Sequence, residues 1–517
     1  MPVETELKLA IAPEAIGRVT RHPLLRALRR GPSRKSRLIS TYYDTADLEL
    51  SRAGVTLRLR RDGRRWLQTV KGEAEGGAAG GLAARIEFEW PVAGDRLDPM
   101  RFASTPFRRA LGKAEKHGLA PQFTTEIQRT TIPLAFADST MALLCIDTGE
   151  ARADVDGQIR SSPIHEIELE LEAGDTIRLF ELAYALAADI PLALEPLTKA
   201  ARGFALRHPR VPEPLKAADA PLASGASAAE AFAAIIRTCL QQIEGNADGV
   251  LMHGDPEWLH QMRIGVRRLR ACLALAARFM APTRIEPLRV ELRWLAHALG
   301  TARDCDVFTL ETLPAFASAV GRGGGAGPLQ PALRALATEA EARRGEARVA
   351  ARAAVASPRF LRLMLAASAL AAASRTGSPD PAALAARARD VARPLLKRRH
   401  RALQALGTDL AHAAPETRHA ARLAAKKLRY ATEFFAPLFE RKRTRAYRRA
   451  LTVLQEELGV WTDAAVAAQL AGELAGPESP AAAAFSGWAA AQGNARSAAL
   501  DAAWAAFARA TPFWPRD

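Results

Sequence analysis

The change of residue pattern near residue 206 constrains the fold more than any other feature of the sequence. Before it, short runs alternate apolar and polar residues with a period of two, as in VETELKLAI at 3–11, which is typical of β-strands. After it, the chain is rich in Ala, Leu and Arg and has a helical pattern. Four prolines between residues 209 and 221 mark a linker. We therefore predict a multidomain protein with an α+β part at 1–206, a Pro-rich linker at 207–224 and an all-α part at 225–517.

Positive charge is concentrated in the second part of the chain. Residues 1–208 hold 30 Lys and Arg against 28 Asp and Glu, whereas residues 209–517 hold 42 against 28. Such an excess implies a polyanionic partner, which can be nucleic acid, an anionic membrane surface or a phosphate polymer. Composition alone leaves these three partners open.

Membrane and cysteine signals are weak. No segment approaches the ~20 apolar residues of a membrane span, and the first residues lack the basic-then-apolar layout of a signal peptide. The cysteines, Cys145, Cys239, Cys272 and Cys305, form no CxxC pair, so neither a zinc site nor a disulfide framework is indicated. We expect a cytoplasmic protein with no membrane partner.

The helical part contains an internal repeat with an offset of 159 residues. Residues 260–307 align with residues 419–466 without a gap, and each copy begins with histidine and carries a Leu-Gly pair. A fixed offset over such a length predicts a duplicated helical bundle. We place its two copies at about 225–375 and 380–512.

Charged residues recur at every second position of the predicted strands. Because residues two apart share a face of a strand, Glu4, Glu6 and Lys8 lie together. The same spacing joins further charged residues, namely Arg58 with Arg60, Arg85 with Glu87 and Glu89, and Glu166 with Glu168 and Glu170. One interpretation is the solvated face of an ordinary antiparallel sheet. The other is a closed barrel with inward charges, in which cations bind a phosphate chain and carboxylates hold Mg²⁺ or Mn²⁺.

The motifs of the first part resemble those of the CYTH family, the triphosphate tunnel metalloenzymes. Glu4-Thr-Glu6-Leu-Lys8 matches the ExExK signature of that family. The match continues in order through Tyr42–Thr45, Leu57–Arg60, Lys71-Gly72, Arg85–Glu89, Glu166–Glu170 and Thr198–Gly203, although Thr198 stands where Ser is common. The resemblance covers about residues 1–206. It implies an eight-stranded antiparallel tunnel that, as in bacterial inorganic triphosphatases, hydrolyses tripolyphosphate to pyrophosphate and phosphate with Mg²⁺ or Mn²⁺.

The resemblance also implies a role for each matched residue. Glu4, Glu6, Glu168 and Glu170 are expected to ligate metal or orient the attacking water, and with Lys8 they form the catalytic set. The expected substrate-binding residues are Lys8, Arg58, Arg60, Lys71, Arg85, Arg129 and Lys199. Glu87 and Glu89 remain ambiguous between metal ligands and salt-bridge partners. Adenylate cyclisation and thiamine triphosphate hydrolysis stay open as other chemistries of the family.

The helical part carries a basic stripe in each copy of the repeat. At 100° per residue, one stripe within an arc of roughly 80° consists of His260, Arg263, Arg267 and Arg270. Arg268 widens this stripe. The second copy repeats the geometry with His419, Arg422, Lys426 and Arg429. A solvated helix face is the common explanation for such a run, but these stripes are duplicated and contain no carboxylate, which favours a groove for a linear polyanion.

The stripes resemble the CHAD domain, a helical module often fused to CYTH domains and associated with polyphosphate binding. The Leu-Gly-x-x-Arg-Asp-x-Asp turn of that domain corresponds to Leu299–Asp306. In the second copy Thr462 replaces the arginine and Ala465 replaces Asp306, so the two halves are expected to contribute unequally. Both histidines also fit a purely structural role.

The expected partners are inorganic triphosphate and long-chain polyphosphate. Aromatic residues make up only 6% of the chain, which makes nucleic acid a weaker fit because no stacking platform is evident. The alternative function is a non-catalytic or weakly catalytic polyphosphate-binding protein associated with polyphosphate granules.

Overall fold

The computed structural model describes residues 3–73, 81–209, 211–322, 326–373, 380–407, 409–476 and 478–514. The chain divides into two compact units. Residues 1–213 with 358–372 form the barrel unit, and residues 214–357 with 373–517 form the helical unit. The predicted boundary between the two bundle copies, at 375–380, falls almost entirely outside the described residues.

The barrel unit is built mainly from strands. Its strands are β1 (Val3–Ile11), β2 (Arg34–Asp44), β3 (Val55–Asp62), β4 (Arg65–Glu73), β5 (Leu82–Val92), β6 (Ala120–Ala135), β7 (Met141–Val155), β8 (Gln158–Ala173) and β9 (Leu192–Leu194). Its helices are α1 (Ile16–Arg21), α2 (Pro23–Leu28), α3 (Glu49–Arg52), α4 (Arg108–His117), α5 (Ile177–Asp189) and α6 (Lys199–Arg207), followed much later in the chain by α13 (Pro358–Ala372).

The sheet closes on itself. Its strand order is β5-β4-β3-β2-β6-β7-β8-β1-β9, and β1 also pairs with β5. Eight antiparallel strands therefore form a ring, and the short β9 pairs with the end of β1. The predicted eight-stranded antiparallel barrel is confirmed.

Strand register brings the predicted motifs together around β1. Glu6 lies opposite Glu170 and Lys8 lies opposite Glu168 on β8, while Glu4 lies opposite Arg85 on β5. The alternate residues of β1 point to the other side of the wall, where Leu7 and Leu9 are fully buried in an apolar cluster that includes residues of α5. Period-two alternation thus separates a charged interior from an apolar outer surface that helices cover.

Helix α13 packs on the barrel although it lies between the helices of the second part in sequence. Leu361 and Leu365 are buried in the same apolar cluster as α5. The Arg362 guanidinium donates to the Tyr184 hydroxyl at 3.2 Å and lies 4.9 Å from the centre of its ring. Residues 358–372 were predicted to belong to the all-α part, whereas their contacts group them with the barrel unit.

The helical unit consists of α-helices joined by short connections. They are α7 (Ala228–Glu244), α8 (Ala247–Met252), α9 (Pro256–Ala276), α10 (Pro282–Val307), α11 (Leu313–Arg322), α12 (Ala326–Val355), α14 (Pro381–Ala385), α15 (Ala388–Gln404), α16 (Pro415–Phe435), α17 (Arg441–Ala475), α18 (Pro480–Asn494) and α19 (Ser497–Arg509). A single π-helical turn at Phe308–Thr312 joins α10 to α11.

Equal helix lengths reflect the duplication. Helices α7 and α15 both have 17 residues, and α9 and α16 both have 21. The two copies also meet in a reciprocal pair of hydrogen bonds, in which the N–H of Ala228 donates to Ala386 O and the N–H of Ala388 donates to Ala226 O, both at 2.8 Å. One prediction was wrong: Leu299–Asp306 is not a turn but lies within α10, because nothing in the segment interrupts the helix.

No single helix among the described residues is long and apolar enough to span a membrane. One bent pair, Leu329–Val355 with Pro358–Ala372, reaches the necessary length and composition only when its two helices are taken together.

Candidate active site

The barrel encloses a cavity of about 890 Å³. All thirteen charged residues that were predicted for the tunnel line it, namely Glu4, Glu6, Lys8, Arg58, Arg60, Lys71, Arg85, Glu87, Glu89, Arg129, Glu168, Glu170 and Lys199. They come from β1, β3, β4, β5, β6, β8 and the first turn of α6. The interpretation as a solvated sheet face is therefore wrong, and the charges point inward.

Three carboxylates of the tunnel form a first acidic cluster. Oxygen atoms of Glu4, Glu6 and Glu170 lie within 4.8 Å of one another. Burial, with a smaller contribution from the neighbouring Glu168, Glu4 and Glu6 and against the opposing effect of Arg129, raises the pKa of Glu170 to about 7. Oxygen ligands at this spacing match the preference of a hard divalent cation, which would also relieve the repulsion between the carboxylates.

A second acidic cluster consists of Asp147, Glu166 and Glu168, all buried. Lys199 binds all three, at 2.7 Å from Asp147 and 2.8 Å from Glu168. Lys8 adds a contact of 3.2 Å to Glu168. Burial alone would raise the pKa of Glu168, but the cations Lys199, Lys8 and Arg129 hold it well below its usual range. This cluster is therefore neutralised by the protein's own cations.

Arg129 on β6 joins the two clusters. Its Nε donates to Asp147 at 2.8 Å, its Nη1 donates to Glu170 at 3.0 Å, and its Nη2 contacts Glu168. Burial opposes the charge, yet Glu168 and Asp147 keep the pKa of Arg129 well above its usual range. The network fixes the guanidinium beside the first cluster.

The two ambiguous glutamates are placed by their neighbours. Glu87 lies 3.1 Å from Lys71 Nζ and 3.6 Å from Arg58, and Glu89 accepts a hydrogen bond of 3.1 Å from the Thr69 hydroxyl. Among the described residues neither glutamate belongs to a group of three potential ligands. Glu87 therefore spaces the cations of β3 and β4.

Arg60 differs from the other tunnel cations. Its Nε donates to the Ser40 hydroxyl at 3.3 Å, and no carboxylate of the described chain lies within 4.0 Å of it. Burial and the neighbouring Arg58 and Arg129 lower the pKa of Arg60 to about 10. An uncompensated buried cation at this position favours an anionic ligand.

Lys199 enters the tunnel from the first turn of α6. The Thr198 hydroxyl caps that helix by accepting from the N–H of Ala201 at 2.9 Å, so threonine serves here as serine would. Gly203 allows α6 to approach the barrel, because a Cβ at this position would lie 2.0 Å from the Phe123 ring. These contacts explain the order of the Thr-Lys-Ala-Ala-Arg-Gly motif.

The two basic stripes of the helical unit face each other. Lys426 on α16 interacts electrostatically with Arg422 on its own helix and with Arg267 and Arg263 on α9. Contrary to expectation, the stripes are partly neutralised. Carboxylates contact three of their arginines, in the pairs Arg263–Asp304 (3.3 Å), Arg422–Asp463 (2.7 Å) and Arg429–Glu433 (2.7 Å).

Other predicted members of the stripes behave differently. Arg268 does not widen the stripe: it is buried, and it donates to Gln242 at 3.0 Å and to Ala218 O at 2.6 Å. His260 is half-buried, and burial together with Arg303 lowers its pKa. His419 is exposed. The two histidines are therefore not equivalent in their surroundings.

Comparison with known proteins agrees with both units. Residues 2–204 match the CYTH domain family, and residues 234–472 match the CHAD domain family. The chain is a CYTH domain followed by a CHAD domain. The resemblance drawn from the motifs is thereby confirmed, together with the order of the two domains.

Individual relatives cover one domain each. An inorganic triphosphatase of Haemophilus influenzae is 29% identical over 206 residues, which is 39% of this chain and 54% of that protein, so the match spans about half the length of this curated relative. A CHAD domain from the plant Ricinus communis is 35% identical and covers 57% of this chain and 97% of that structure, with a TM-score of 0.49. A putative adenylyl cyclase from Hippeastrum, described as having a dominant triphosphatase activity, is 16% identical over 39% of this chain and 94% of that structure, with a TM-score of 0.29.

Sequence reasoning missed two residues of the CYTH domain. Asp147 is completely buried between Lys199 and Arg129, and its place two positions after the inward-facing Cys145 on β7 could have indicated it. Tyr42 lines the cavity, and its ring stacks on Phe123 at 4.5 Å. Burial raises the pKa of Tyr42, but Arg58 and Arg60 outweigh that effect and lower it.

Proposed function

We propose that the CYTH domain hydrolyses inorganic triphosphate with Mg²⁺ or Mn²⁺ and that the CHAD domain binds long-chain polyphosphate. The observation that carries the enzymatic part is the juxtaposition, in one cavity of about 890 Å³, of the Glu4–Glu6–Glu170 cluster and a set of arginines and lysines. Cations alone would bind a polyanion without activating water, and carboxylates alone would repel it. The similarity to an inorganic triphosphatase supports the same reaction.

The carboxylates of the tunnel would have two roles, metal binding and the positioning of cations. Glu4, Glu6 and Glu170 would hold the divalent cation, which when bound neutralises charge on the phosphate oxygens and polarises water. Glu168 was also predicted as a ligand, but it lies among Lys199, Lys8 and Arg129. We propose that Glu168 positions these cations and contributes to metal binding less than Glu170 does.

The cations would bind and orient the triphosphate. Arg60 has no carboxylate partner in the described chain, and we propose that it contacts a phosphate directly. Lys71 and Arg85 contact Glu4 and Glu6 and would exchange these contacts for phosphate oxygens once a metal neutralises the cluster. Water then attacks the terminal phosphorus as the bond from that phosphorus to its bridging oxygen breaks, which releases pyrophosphate and phosphate.

Binding without catalysis is the second candidate function. In the described chain no carboxylate lies within 4.0 Å of Arg267 or Lys426 of the CHAD stripes, and such cations favour a polyanion whatever the CYTH domain does. A polyphosphate-binding protein whose CYTH domain hydrolyses slowly or not at all would have the same helical surface. The rate of phosphate release therefore decides between the enzymatic and the binding function.

Phosphate release from a substrate panel tests the proposal. The panel contains tripolyphosphate, ATP, thiamine triphosphate and long-chain polyphosphate, each with Mg²⁺, with Mn²⁺ and with a chelator. We expect tripolyphosphate to be hydrolysed fastest and only in the presence of metal. Faster hydrolysis of thiamine triphosphate or ATP would mean that this compound, and not tripolyphosphate, is the substrate. No phosphate release from any of the four compounds would contradict the proposed hydrolysis and favour the binding function.

A further inference from the structure

A second cavity, of about 260 Å³, lies within the CHAD domain. Helix α9 lines it with Arg267 and Arg270, and α10 lines it with Arg289 and Arg293. The last two residues belong to neither predicted stripe. Arg289 and Arg293 lie close enough to Arg270 to lower its pKa, although burial is the larger cause. Four arginines from two helices therefore converge on one side of the cavity.

The opposite wall is also basic. Helix α15 contributes Arg399, and α16 contributes Lys426 and Lys427. Among the described residues no carboxylate lines this cavity. In the part of the chain that the structure describes, Arg289 has an ion pair, with Glu286 at 2.6 Å, whereas the other six cations have none within 4.0 Å. The buried Nε atoms of Arg267 and Arg399 also have no hydrogen-bond partner there.

The duplication would create this cavity twice, but its counterpart has lost the necessary residues. At the offset of 159, Arg293 corresponds to Thr452 and Ala274 corresponds to Glu433. Glu433 pairs at 2.7 Å with Arg429, which is the counterpart of Arg270. Two substitutions therefore remove one cation and neutralise another.

A third change affects the remaining wall. Helices α7 and α15 have equal lengths and start at Ala228 and Ala388, so in this helix pair the offset is 160 rather than 159, in agreement with the reciprocal hydrogen bonds of these two residues. The counterpart of Arg399 is therefore Cys239, which is completely buried. The counterpart of Lys427 is Arg268, whose guanidinium is bound by Gln242 and Ala218 inside the bundle. The concentrated positive charge thus exists on one side of the approximate symmetry only.

The size and the lining of the cavity restrict which ligands can bind there. Its volume is below the range of about 300–1,000 Å³ that is usual for sites of drug-sized ligands, so a nucleotide or a large cofactor does not fit well. Seven cations without a lining carboxylate require a ligand of high negative charge density. A short segment of a condensed phosphate chain meets both conditions.

We infer that the CHAD domain has one dominant phosphate-chain site, formed by Arg267, Arg270, Arg289, Arg293, Arg399, Lys426 and Lys427, and that the duplicated side does not bind comparably. This inference rests on the proposed binding of polyphosphate. It changes the expected picture of two similar stripes that the polymer passes in turn.

Matched double substitutions in the full-length protein test the inference. Arg289→Ala/Arg293→Ala removes two cations of the site. Arg448→Ala/Arg449→Ala removes two cations of the corresponding helix α17 and serves as the control. Long-chain polyphosphate is titrated into the wild type and both variants at two salt concentrations, and thermal melting checks the fold.

The expected result is a loss of affinity of about tenfold or more for Arg289→Ala/Arg293→Ala, together with a salt dependence that is weaker by about one phosphate contact or more. The control should lose less than about threefold, because its residues lie outside the cavity. Equal losses in both variants would overturn the single site while leaving polyphosphate binding intact. No binding by the wild type would overturn both the single site and the proposed binding function.

Discussion

The two domains hold their positive charge in opposite ways. In the CYTH tunnel, Lys8, Lys71, Arg129 and Lys199 each contact at least two carboxylates. Seven cations line the CHAD cavity, and no carboxylate of the described residues lines it with them. On the function proposed above both surfaces bind phosphate, but among the described residues only the first also contains groups of carboxylates that could hold a divalent cation.

We propose that this difference separates a reaction site from a binding site. Apart from Arg60, the cations that line the tunnel contact carboxylates. We therefore expect the tunnel to attract a polyanion weakly until a metal occupies those carboxylates, which couples substrate binding to the metal. An uncompensated cluster attracts a polyanion directly, and its affinity depends on salt rather than on metal. The same two residue types, Arg and Lys, therefore serve different purposes because of the carboxylates beside them.

Removing carboxylates from the first cluster should have the largest effect. We expect Glu6→Gln/Glu170→Gln to slow tripolyphosphate hydrolysis by at least about 10,000-fold, because both changes remove metal ligands from the reacting centre. Without metal the variant should melt no lower than the wild type, since it relieves both the burial of a carboxylate charge and the repulsion between carboxylates that raise the pKa of Glu170. Glu89→Gln lines the same cavity outside the cluster and is the control. Rapid hydrolysis by the double variant would show that the metal site is elsewhere.

The second cluster should behave as structure. Lys199→Met leaves three buried carboxylates with too few cations and should lower the free energy of unfolding by about 3–5 kcal/mol at neutral pH. The exposed Lys113, which pairs with Glu49 at 2.9 Å, gives the control Lys113→Met with a change below about 1 kcal/mol.

The pH dependence has a definite sign. In the wild type the pKa of Glu168 is held well below its usual range, so its contribution to stability is present above its unfolded pKa and is lost as pH falls through the folded pKa. In Lys199→Met the pKa values of the buried carboxylates rise, and stability is lost as pH increases. Denaturant unfolding at pH 5 and pH 8 should therefore show a larger difference between wild type and variant at pH 8. A constant difference would mean that Lys199 acts through packing.

Helix α13 tests where the CYTH unit ends, because its residues group with the barrel although they lie within the helical part in sequence. Leu365 is completely buried against the barrel, so Leu365→Ala should destabilise the CYTH domain by about 2–4 kcal/mol. The loss should appear as inactivation of tripolyphosphate hydrolysis at a lower temperature. Val349→Ala, at a position that is 65% exposed on α12, should cost less than about 0.5 kcal/mol. If Leu365→Ala lost activity at the same temperature as the wild type, α13 would not be part of the stable core of the barrel.

The smallest expected effect concerns one lysine of the CHAD cavity. Burial together with Arg422 and Arg267 lowers the pKa of Lys426 to about 8. Because the protonated form binds an anion, affinity for polyphosphate should fall by about threefold between pH 7 and pH 9. Lys426→Arg keeps its charge throughout this range and should remove most of the fall. An unchanged pH dependence in that variant would assign the fall to another group.

Much of this arrangement could be predicted from the sequence. Period-two charges such as Glu4, Glu6 and Lys8 specify one face of a strand, and the family resemblance indicated that this face was the interior. The strands β2 and β6 are less evident in the sequence, because neither RKSRLISTYYD nor APQFTTEIQRTTIPLA alternates apolar and polar residues regularly. Each of them forms a strand because it pairs with another strand of the ring on both sides, which is a tertiary effect.

Other features depend on contacts that spacing does not encode. Asp304 and Asp463 lie on neighbouring helices and pair with Arg263 and Arg422. A helix face that has no carboxylate in its own sequence can therefore still contact carboxylates in the folded protein. Helix α13 has the composition of any Ala- and Leu-rich helix, and only its packing places it with the barrel. The difference between the two copies at Arg293 and Thr452 depends on which positions line the cavity, and the sequence alone does not give that.

Removal of metal tests the contrast between the two domains most directly. Tripolyphosphate hydrolysis and long-chain polyphosphate binding are measured on the same full-length protein, with Mg²⁺ and with excess chelator. Hydrolysis should fall to background without metal, while polyphosphate affinity should stay within about threefold and remain sensitive to salt. Loss of polyphosphate binding together with hydrolysis, or hydrolysis that persists in the chelator, would contradict the division between a metal-dependent tunnel and a metal-independent binding site.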